Sequence, residues 1–272
     1  MIFERLAGAL RANVPVALVT RLDGTHAGAK LLVFADETLG DLGTPGLTAA
    51  AAAEAHALLT LGESEVRTFG EDGEPVGVEV RLFVQAFAPK PVMYVFGAID
   101  FSRAVARIGK YLGYTVVVVD ARPVFATQAR IPDADEVVVA WPDEYLARAR
   151  VDRRTAIVAL THDAKFDVPL LQAALKTDAG YIGAMGSRNT HAARVADLRR
   201  AGVSARDIAR ISAPVGLDIG ARTPEETAIS IAAEIVALRE RRQGGRLSAS
   251  DLPVHNERVP AGRPPTTNAG AR

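Results

Sequence analysis

The sequence predicts an α/β protein in which a doubly wound parallel sheet follows a smaller N-terminal α+β domain. Three observations carry this. Between residues 92 and 183, short and continuously apolar runs alternate with helical stretches. That is the pattern of parallel strands buried on both faces and joined by crossovers. Before residue 88, strands are instead separated by glycine-rich turns, as in hairpins, and mixed with helices. Between the two patterns stands Pro89-Lys90-Pro91, a stiff segment that reads as a linker. The expected organisation is therefore residues 1–88, residues 91–242 with a C-terminal helix, and a disordered tail over 243–272.

In the first domain, helical spacing covers 4–12 and a strand covers 16–21. Its hairpin partner is 30–35, across the turn Leu22-Asp23-Gly24-Thr25-His26-Ala27-Gly28. An Ala-rich helix spans 48–61. Gly62, Gly70, Gly73 and Gly77 punctuate a further strand pair near 66–69 and 78–87. In the second domain, strands are expected at 92–96, 115–119, 136–140, 156–160 and 181–183. Helices are expected at 101–112, 168–175, 189–201 and 204–210. A long helix over 223–242 opens on Thr223 as N-cap, Pro224 at its first position and Glu226 closing a capping box. The tail from 244 lacks periodicity and is rich in Pro, Gly, Ser, Arg and Asn, which cannot bury a core.

Composition narrows the function classes. The 272 residues are 49% hydrophobic and 24% charged, with a formal net charge of zero. A nucleic-acid binder ordinarily carries a basic surplus to meet phosphates, so no nucleic-acid partner is expected. The sequence contains no cysteine. Disulfides, thiolate zinc sites, cysteine nucleophiles and thiolate-held iron–sulfur clusters are excluded. The first residues, Met1-Ile2-Phe3-Glu4-Arg5-Leu6, lack the basic region and long apolar run of a signal peptide. The apolar runs are too short to span a bilayer. The expected location is the cytoplasm, without membrane contact.

Several stretches carry candidate chemistry. Gly97-Ala98-Ile99-Asp100-Phe101-Ser102 follows the first sheet strand. A Rossmann-type dinucleotide site needs a glycine turn there, so that backbone N–H groups can meet a pyrophosphate. Gly97 and Ala98 suit it, and Ser102 is small enough to pack. Ile99 stands where a second glycine would be and crowds a phosphate. The plain alternative is a tight turn with no ligand. Asp120 ends the second strand, where an acid would hold ribose hydroxyls. Arg122 follows it, and a turn cap is the alternative.

Thr161-His162-Asp163 ends the fourth strand, at the sheet edge where open α/β folds bind ligands. His162 is the candidate proton carrier, with Asp163 to fix its tautomer and Asp167 a few residues on. An Asx turn beside an exposed His is the alternative. Tyr181-Ile182-Gly183-Ala184-Met185-Gly186-Ser187-Arg188-Asn189-Thr190 places a strand, Gly183, Gly186, a hydroxyl and a guanidinium directly before a helix. Free N–H groups with Ser187 and Arg188 make an oxyanion or phosphate cradle. A capped helix with a solvated Arg is the alternative. Ala213-Pro214-Val215-Gly216-Leu217-Asp218-Ile219-Gly220-Ala221-Arg222 reads as a functional loop with Asp218, or as a connector with an internal Asp–Arg pair. Glu226 and Glu234 lie on the helix it feeds.

The stretches 181–190 and 213–226 closely resemble the XdhC/CoxI family. Thr161-His162-Asp163 and Asp120-Ala121-Arg122-Pro123 are similar to its pattern as well. The resemblance covers about 92–239, and the N-terminal domain weakly. It implies a maturation factor for molybdenum hydroxylases of the xanthine dehydrogenase and CO dehydrogenase type. Such a factor binds the molybdenum cofactor (a pterin dithiolene bearing a phosphate or dinucleotide), protects it and delivers it to the apo-enzyme. The sequence departs from the family in two places. The family usually has Gly-Ala-Gly-His where this chain has Gly97-Ala98-Ile99-Asp100. It usually has Gly-Gly-Cys-x-Glu where this chain has Thr44-Pro45-Gly46-Leu47-Thr48.

Three readings stay open at this point. A maturation factor binds cofactor without turnover and offers a surface to a client enzyme. An NAD(P)-dependent oxidoreductase has a nicotinamide pocket with His162 as proton donor. A scaffold whose Rossmann site has decayed binds only protein. The family resemblance places the first ahead, with a homodimer expected from the general prevalence of twofold assemblies.

Overall fold

The computed structural model describes residues 2–74, 79–161, 163–251 and 253–254. The expectations placed on His162, on the start of a strand at Val78 and on residues 255–272 of the tail lie outside the described residues. The chain divides into two compact units, one up to Pro89 and one over Lys90–Val254.

The first unit is a five-stranded antiparallel sheet in the order β3-β2-β1-β5-β4. Its strands are β1 (Val16–Arg21), β2 (Lys30–Val33), β3 (Thr38–Gly40), β4 (Glu65–Phe69) and β5 (Val80–Phe87). Alternate residues of a strand face opposite sides. Val16 and Leu18 therefore pack with Leu6 and Ala9 of helix α1 (Ile2–Arg11). Ala17 and Val19 pack with Leu47, Ala51, Ala55 and Leu58 of helix α2 (Pro45–Leu61). Helix α2 starts three residues earlier than its Ala-rich run suggests. Thr44 caps it, accepting from Leu47 N–H at 3.2 Å, and Pro45 occupies the first turn, where its missing N–H costs nothing.

The second unit holds six parallel strands in the order β11-β10-β9-β6-β7-β8. They are β6 (Val92–Phe96), β7 (Thr115–Asp120), β8 (Glu136–Val139), β9 (Ala156–Ala159), β10 (Tyr181–Ala184) and β11 (Ile211–Ser212). The helices are α3 (Asp100–Tyr111), α4 (Pro142–Leu146), α5 (Ala164–Leu175), α6 (Arg188–Arg200), α7 (Ala205–Ile208) and α8 (Pro224–Arg239). Helices α3 and α8 cover one face, burying Val105, Ala228 and Ile231 against Val95, Val116 and Val158. Helices α4, α5, α6 and α7 cover the other, burying Leu146, Leu170, Leu198 and Ile208 against Phe96, Val117 and Ile157. From β6 the strands run outward in two directions, so the order reverses between β6 and β9. That reversal leaves a crevice at the carboxyl ends of the two strands.

Three elements were not expected from the sequence: β3, α4 and β11. Helix α5 begins at Ala164 rather than 168, because Asp163 caps it by accepting from Lys165 N–H at 3.0 Å. The long helix ends at Arg239 rather than 242. Its capping box is present: Thr223 Oγ1 accepts from Glu226 N–H at 3.2 Å, and Glu226 accepts from Thr223 N–H at 3.1 Å. A residual 3-10 turn, Leu247–Ala249, lies in the segment expected to be without structure.

Candidate functional site

The turn between β6 and α3 is closed on itself. Gly97 has φ +107°, which favours glycine, and a Cβ there would lie 2.9 Å from Thr161 Cγ2 and 3.1 Å from its backbone nitrogen. The chain can therefore bring the ends of β6 and β9 together only with glycine at 97. Each N–H of the turn has an internal acceptor. Gly97 N–H donates to Val119 O at 2.8 Å, Ala98 N–H to Asp120 Oδ2 at 2.7 Å and Ile99 N–H to Ser102 Oγ at 3.1 Å. The Ser102 hydroxyl, fully buried, donates back to Gly97 O. Among the described residues the N–H groups of Asp100 and Phe101, in the first turn of α3, meet no acceptor, but the Asp100 carboxylate adds a negative charge beside them.

Asp120 explains part of that closure. Its carboxylate is 3% exposed and accepts from four donors: Ala98 N–H, Arg122 N–H at 2.9 Å, Arg122 Nε at 2.9 Å and Arg122 Nη2 at 2.8 Å. Burial alone would raise its pKa, but the hydrogen bonds from Arg122 and Ala98 outweigh it and hold the carboxyl below its usual value. The same pairing raises the pKa of Arg122, with Asp163 adding to it across the crevice. The Arg122 guanidinium also lies 4.6 Å from the centre of the Phe125 ring. Gly97, Ala98, Asp120, Arg122, Thr161 and Asp163 thus gather at the reversal of the strand order.

Beside them the ends of β9 and β10 are joined by a buried polar chain. Thr161, 7% exposed, donates its hydroxyl to Asp167 Oδ1. Asp167 Oδ2 accepts from Arg194 Nη2 at 2.5 Å, and the same nitrogen donates to Met185 O at 3.0 Å. Gly186 follows at φ +143°, then Ser187 caps α6 by accepting from Thr190 N–H at 3.1 Å. Ser187 and Arg188 are exposed. Among the described residues, no acceptor is met by the N–H groups of Gly186, Ser187, Arg188 and Asn189. A helix N-terminus with free N–H groups, a hydroxyl and two arginines is an anion-binding arrangement.

Two predicted residues sit differently. Gly183 is buried in β10, where a Cβ would lie 2.6 Å from both Tyr181 Oη and Val215 Cγ2. The glycine makes room for the Tyr181 hydroxyl, which donates to Glu234 Oε2 at 2.5 Å. Glu234 also accepts from Gly216 N–H at 2.9 Å, and Ser230 Oγ donates to Leu217 O at 2.6 Å. Burial, and then Glu234, push the Tyr181 pKa well above its ordinary value, so it stays a donor. The 213–217 segment is thereby fastened to α8. Asp218 beyond it is exposed and has no ion pair with Arg222 among the described residues.

Sequence reasoning did not reach Arg194. The signal was there in register: Arg194 lies four residues before Leu198, so both fall on the buried stripe of α6. A charge on that stripe has to be answered inside the molecule.

In the first unit, Thr44–Thr48 has no thiol or carboxylate to offer. It starts α2, and Gly46 packs directly against the Asp72 carbonyl.

Comparison with known proteins gives the family. A family model for the XdhC Rossmann domain matches residues 93–235, and one for the XdhC and CoxI family matches 9–70. A protein of Bacillus subtilis described as a probable xanthine dehydrogenase component is 32% identical over 161 residues, 59% of this chain and 47% of that protein. A molybdenum cofactor insertion chaperone of Escherichia coli, PaoD, is 39% identical over 93 residues, 34% of this chain and 29% of that protein. A crystal structure described as a xanthine dehydrogenase from Bacillus halodurans superposes with a TM-score of 0.63 at 25% identity. It covers 87% of this chain and 66% of its own. The chain spans half or less of the length of the curated relatives it matches. No helix among the described residues is long and apolar enough to cross a membrane. With matches in both units, and one over more than half its length, the chain belongs to the XdhC and CoxI family.

Proposed function

We propose that this protein is a maturation factor that binds the molybdenum cofactor, protects it and delivers it to a molybdenum hydroxylase of the xanthine or CO dehydrogenase type. The observation that carries the reading is the anion cradle at the start of α6, where free N–H groups stand with Ser187 and Arg188, beside a β6–α3 turn in which the Gly97, Ala98 and Ile99 N–H groups are already used. The cargo bears a phosphate or dinucleotide, and the N–H groups of α6 with Ser187 and Arg188 suit such a group. Likeness to the chaperone PaoD supports the same assignment. In this reading Thr161, Asp163, Gly186, Ser187 and Arg188 line the cargo site. Gly97, Ala98, Asp120, Arg122 and Gly183 shape its walls, and Asp218 lies on a neighbouring exposed segment.

The protein acts by binding rather than turnover, in the cytoplasm, as a homodimer that presents the loaded site to the apo-enzyme. The NAD(P) alternative needs a pyrophosphate at the β6–α3 turn. There, Asp120 and Ser102 hold the Ala98 and Ile99 N–H groups and Asp100 repels an anion.

A binding titration tests this. Purified protein and Arg188→Ala are titrated with molybdenum cofactor, its cytidine dinucleotide form, NAD⁺ and NADPH. The proposal expects saturable binding of a pterin species, weakened about tenfold by loss of a charge-assisted contact worth roughly 1.4 kcal/mol. Binding of NAD(P) alone would replace it with the oxidoreductase reading. Binding of none by folded protein would leave the scaffold reading.

A further inference from the structure

Arg194 is the least expected charge in the second unit. Its side chain and that of Asp167 are each 3% exposed. One terminal nitrogen, Nη2, serves both Asp167 and Met185 O. The other, Nη1, is buried and has no hydrogen-bond partner. A guanidinium keeps its charge at any ordinary pH and offers five donors, so a buried edge without an acceptor is a standing debt in the fold. Among the described residues nothing answers that edge, so its acceptor has to come from solvent or a ligand.

The guanidinium that carries the free nitrogen belongs to a defined place. Long side chains on a helix run back toward its N-terminus, and Arg194 lies two turns into α6. Its Nη2 is 3.7 Å from where a Cβ on Gly186 would stand, directly under the turn that starts the helix. Gly186 itself has φ +143°, and a Cβ there would press on Thr190 at 3.1 Å. His191 Nδ1, one turn before Arg194 on the same helix, is also buried without a partner. Above them are the N–H groups of Gly186 to Asn189, without acceptors among the described residues.

We infer that Arg194 Nη1 and the N-terminus of α6 form one site for a tetrahedral oxyanion, a phosphate monoester, with Arg194 as its buried anchoring cation. The inference deepens the proposed function and rests on it for the identity of the cargo that bears the phosphate. A carboxylate has two acceptor oxygens, whereas a terminal phosphate presents three, enough to meet Nη1 and the helix N–H groups together. Asp167 is a positioning residue: Thr161 donates to one of its oxygens and Arg194 to the other, which fixes the guanidinium between the ends of β9 and β10.

The test uses inorganic phosphate as the probe and the full chain. In a ¹⁵N NMR titration the amides of Gly186 to Asn189 and the Arg194 guanidinium signals should shift together with one dissociation constant. Arg194→Lys retains a charge for Asp167 but has a single nitrogen, leaving none for the anion. It should bind phosphate at least about tenfold more weakly, while Arg188→Ala loses less because its side chain is solvated. The site is overturned if no saturable shift occurs. Arg194 loses its role if the amides shift while its own signals stay still, or if Arg194→Lys binds like the wild type. Should that variant fail to fold, the wild-type guanidinium signals decide. The pterin cofactor is titrated in parallel. Phosphate binding with these signatures but no cofactor binding leaves the site standing and removes the proposed function. Cofactor binding that phosphate neither mimics nor competes with does the reverse.

Discussion

Replacing Asp120 should destabilise the second unit and flatten its acid sensitivity. Asp120→Ala removes the acceptor of Ala98 N–H, whose residue is 2% exposed, so water cannot replace it. One buried hydrogen bond to a charged group is worth about 1.5–3 kcal/mol. The Arg122 side chain is 44% exposed, and its ion pair adds only about 0–1 kcal/mol after screening. The expected loss is therefore about 1.5–4 kcal/mol. Asp120→Asn, which keeps one acceptor oxygen, should lose about half of that. Trp141 is the only tryptophan in the chain and lies in the second unit, against Phe166 at 5.2 Å. Its fluorescence during urea unfolding reads that unit. The sign with pH follows from the lowered carboxyl pKa. Its contribution is complete above the unfolded value, near pH 4, and fades as pH falls through the lower folded value. Wild type and Asp120→Asn should converge in stability at low pH. A loss under about 0.5 kcal/mol for Asp120→Ala, or parallel pH profiles, would refute the claim that this carboxylate organises the crevice.

Three further outcomes follow from the same geometry. Gly97→Ala should cost about 1–3 kcal/mol, because φ +107° is strained for alanine and its Cβ meets Thr161 at 2.9 Å; thermal unfolding checks it. Gly183→Ala should cost about 1–3 kcal/mol by overpacking against Tyr181 and Val215. The same change should lower the ultraviolet signature of the Tyr181–Glu234 hydrogen bond. Ser187→Ala should cost roughly 1 kcal/mol through loss of the α6 cap, and hydrogen exchange should show the first turn of α6 opening while α5 stays protected.

Much of the fold was legible because strands buried on both faces must be apolar throughout. Val92–Phe96 has its expected bounds for that reason. Elements that bury little escaped. All three residues of β3 are exposed, β11 has two residues, and α4 is a five-residue helix. At α2 and α5 the side chains of Thr44 and Asp163 start the helix before its apolar spacing begins. The site was only partly legible. A glycine in a pattern does not say whether a ligand or the protein occupies the space beside it. Gly183 is answered by Tyr181 and Val215, and Gly97 by Thr161. Asp120 stood where a ribose ligand would, yet its four donors come from Ala98 and Arg122. Arg194 was hidden because only the fold brings it to Asp167, 27 residues away, and to Met185.

The central claim is delivery of a bound cofactor, and transfer tests it directly. The protein is loaded with molybdenum cofactor and mixed with the apo form of a xanthine dehydrogenase-type hydroxylase, and recovery of hydroxylase activity is followed against free cofactor. The account predicts faster and more complete recovery from the loaded protein, with Arg188→Ala reduced. Recovery no better than with free cofactor, from protein shown to be folded, would contradict it.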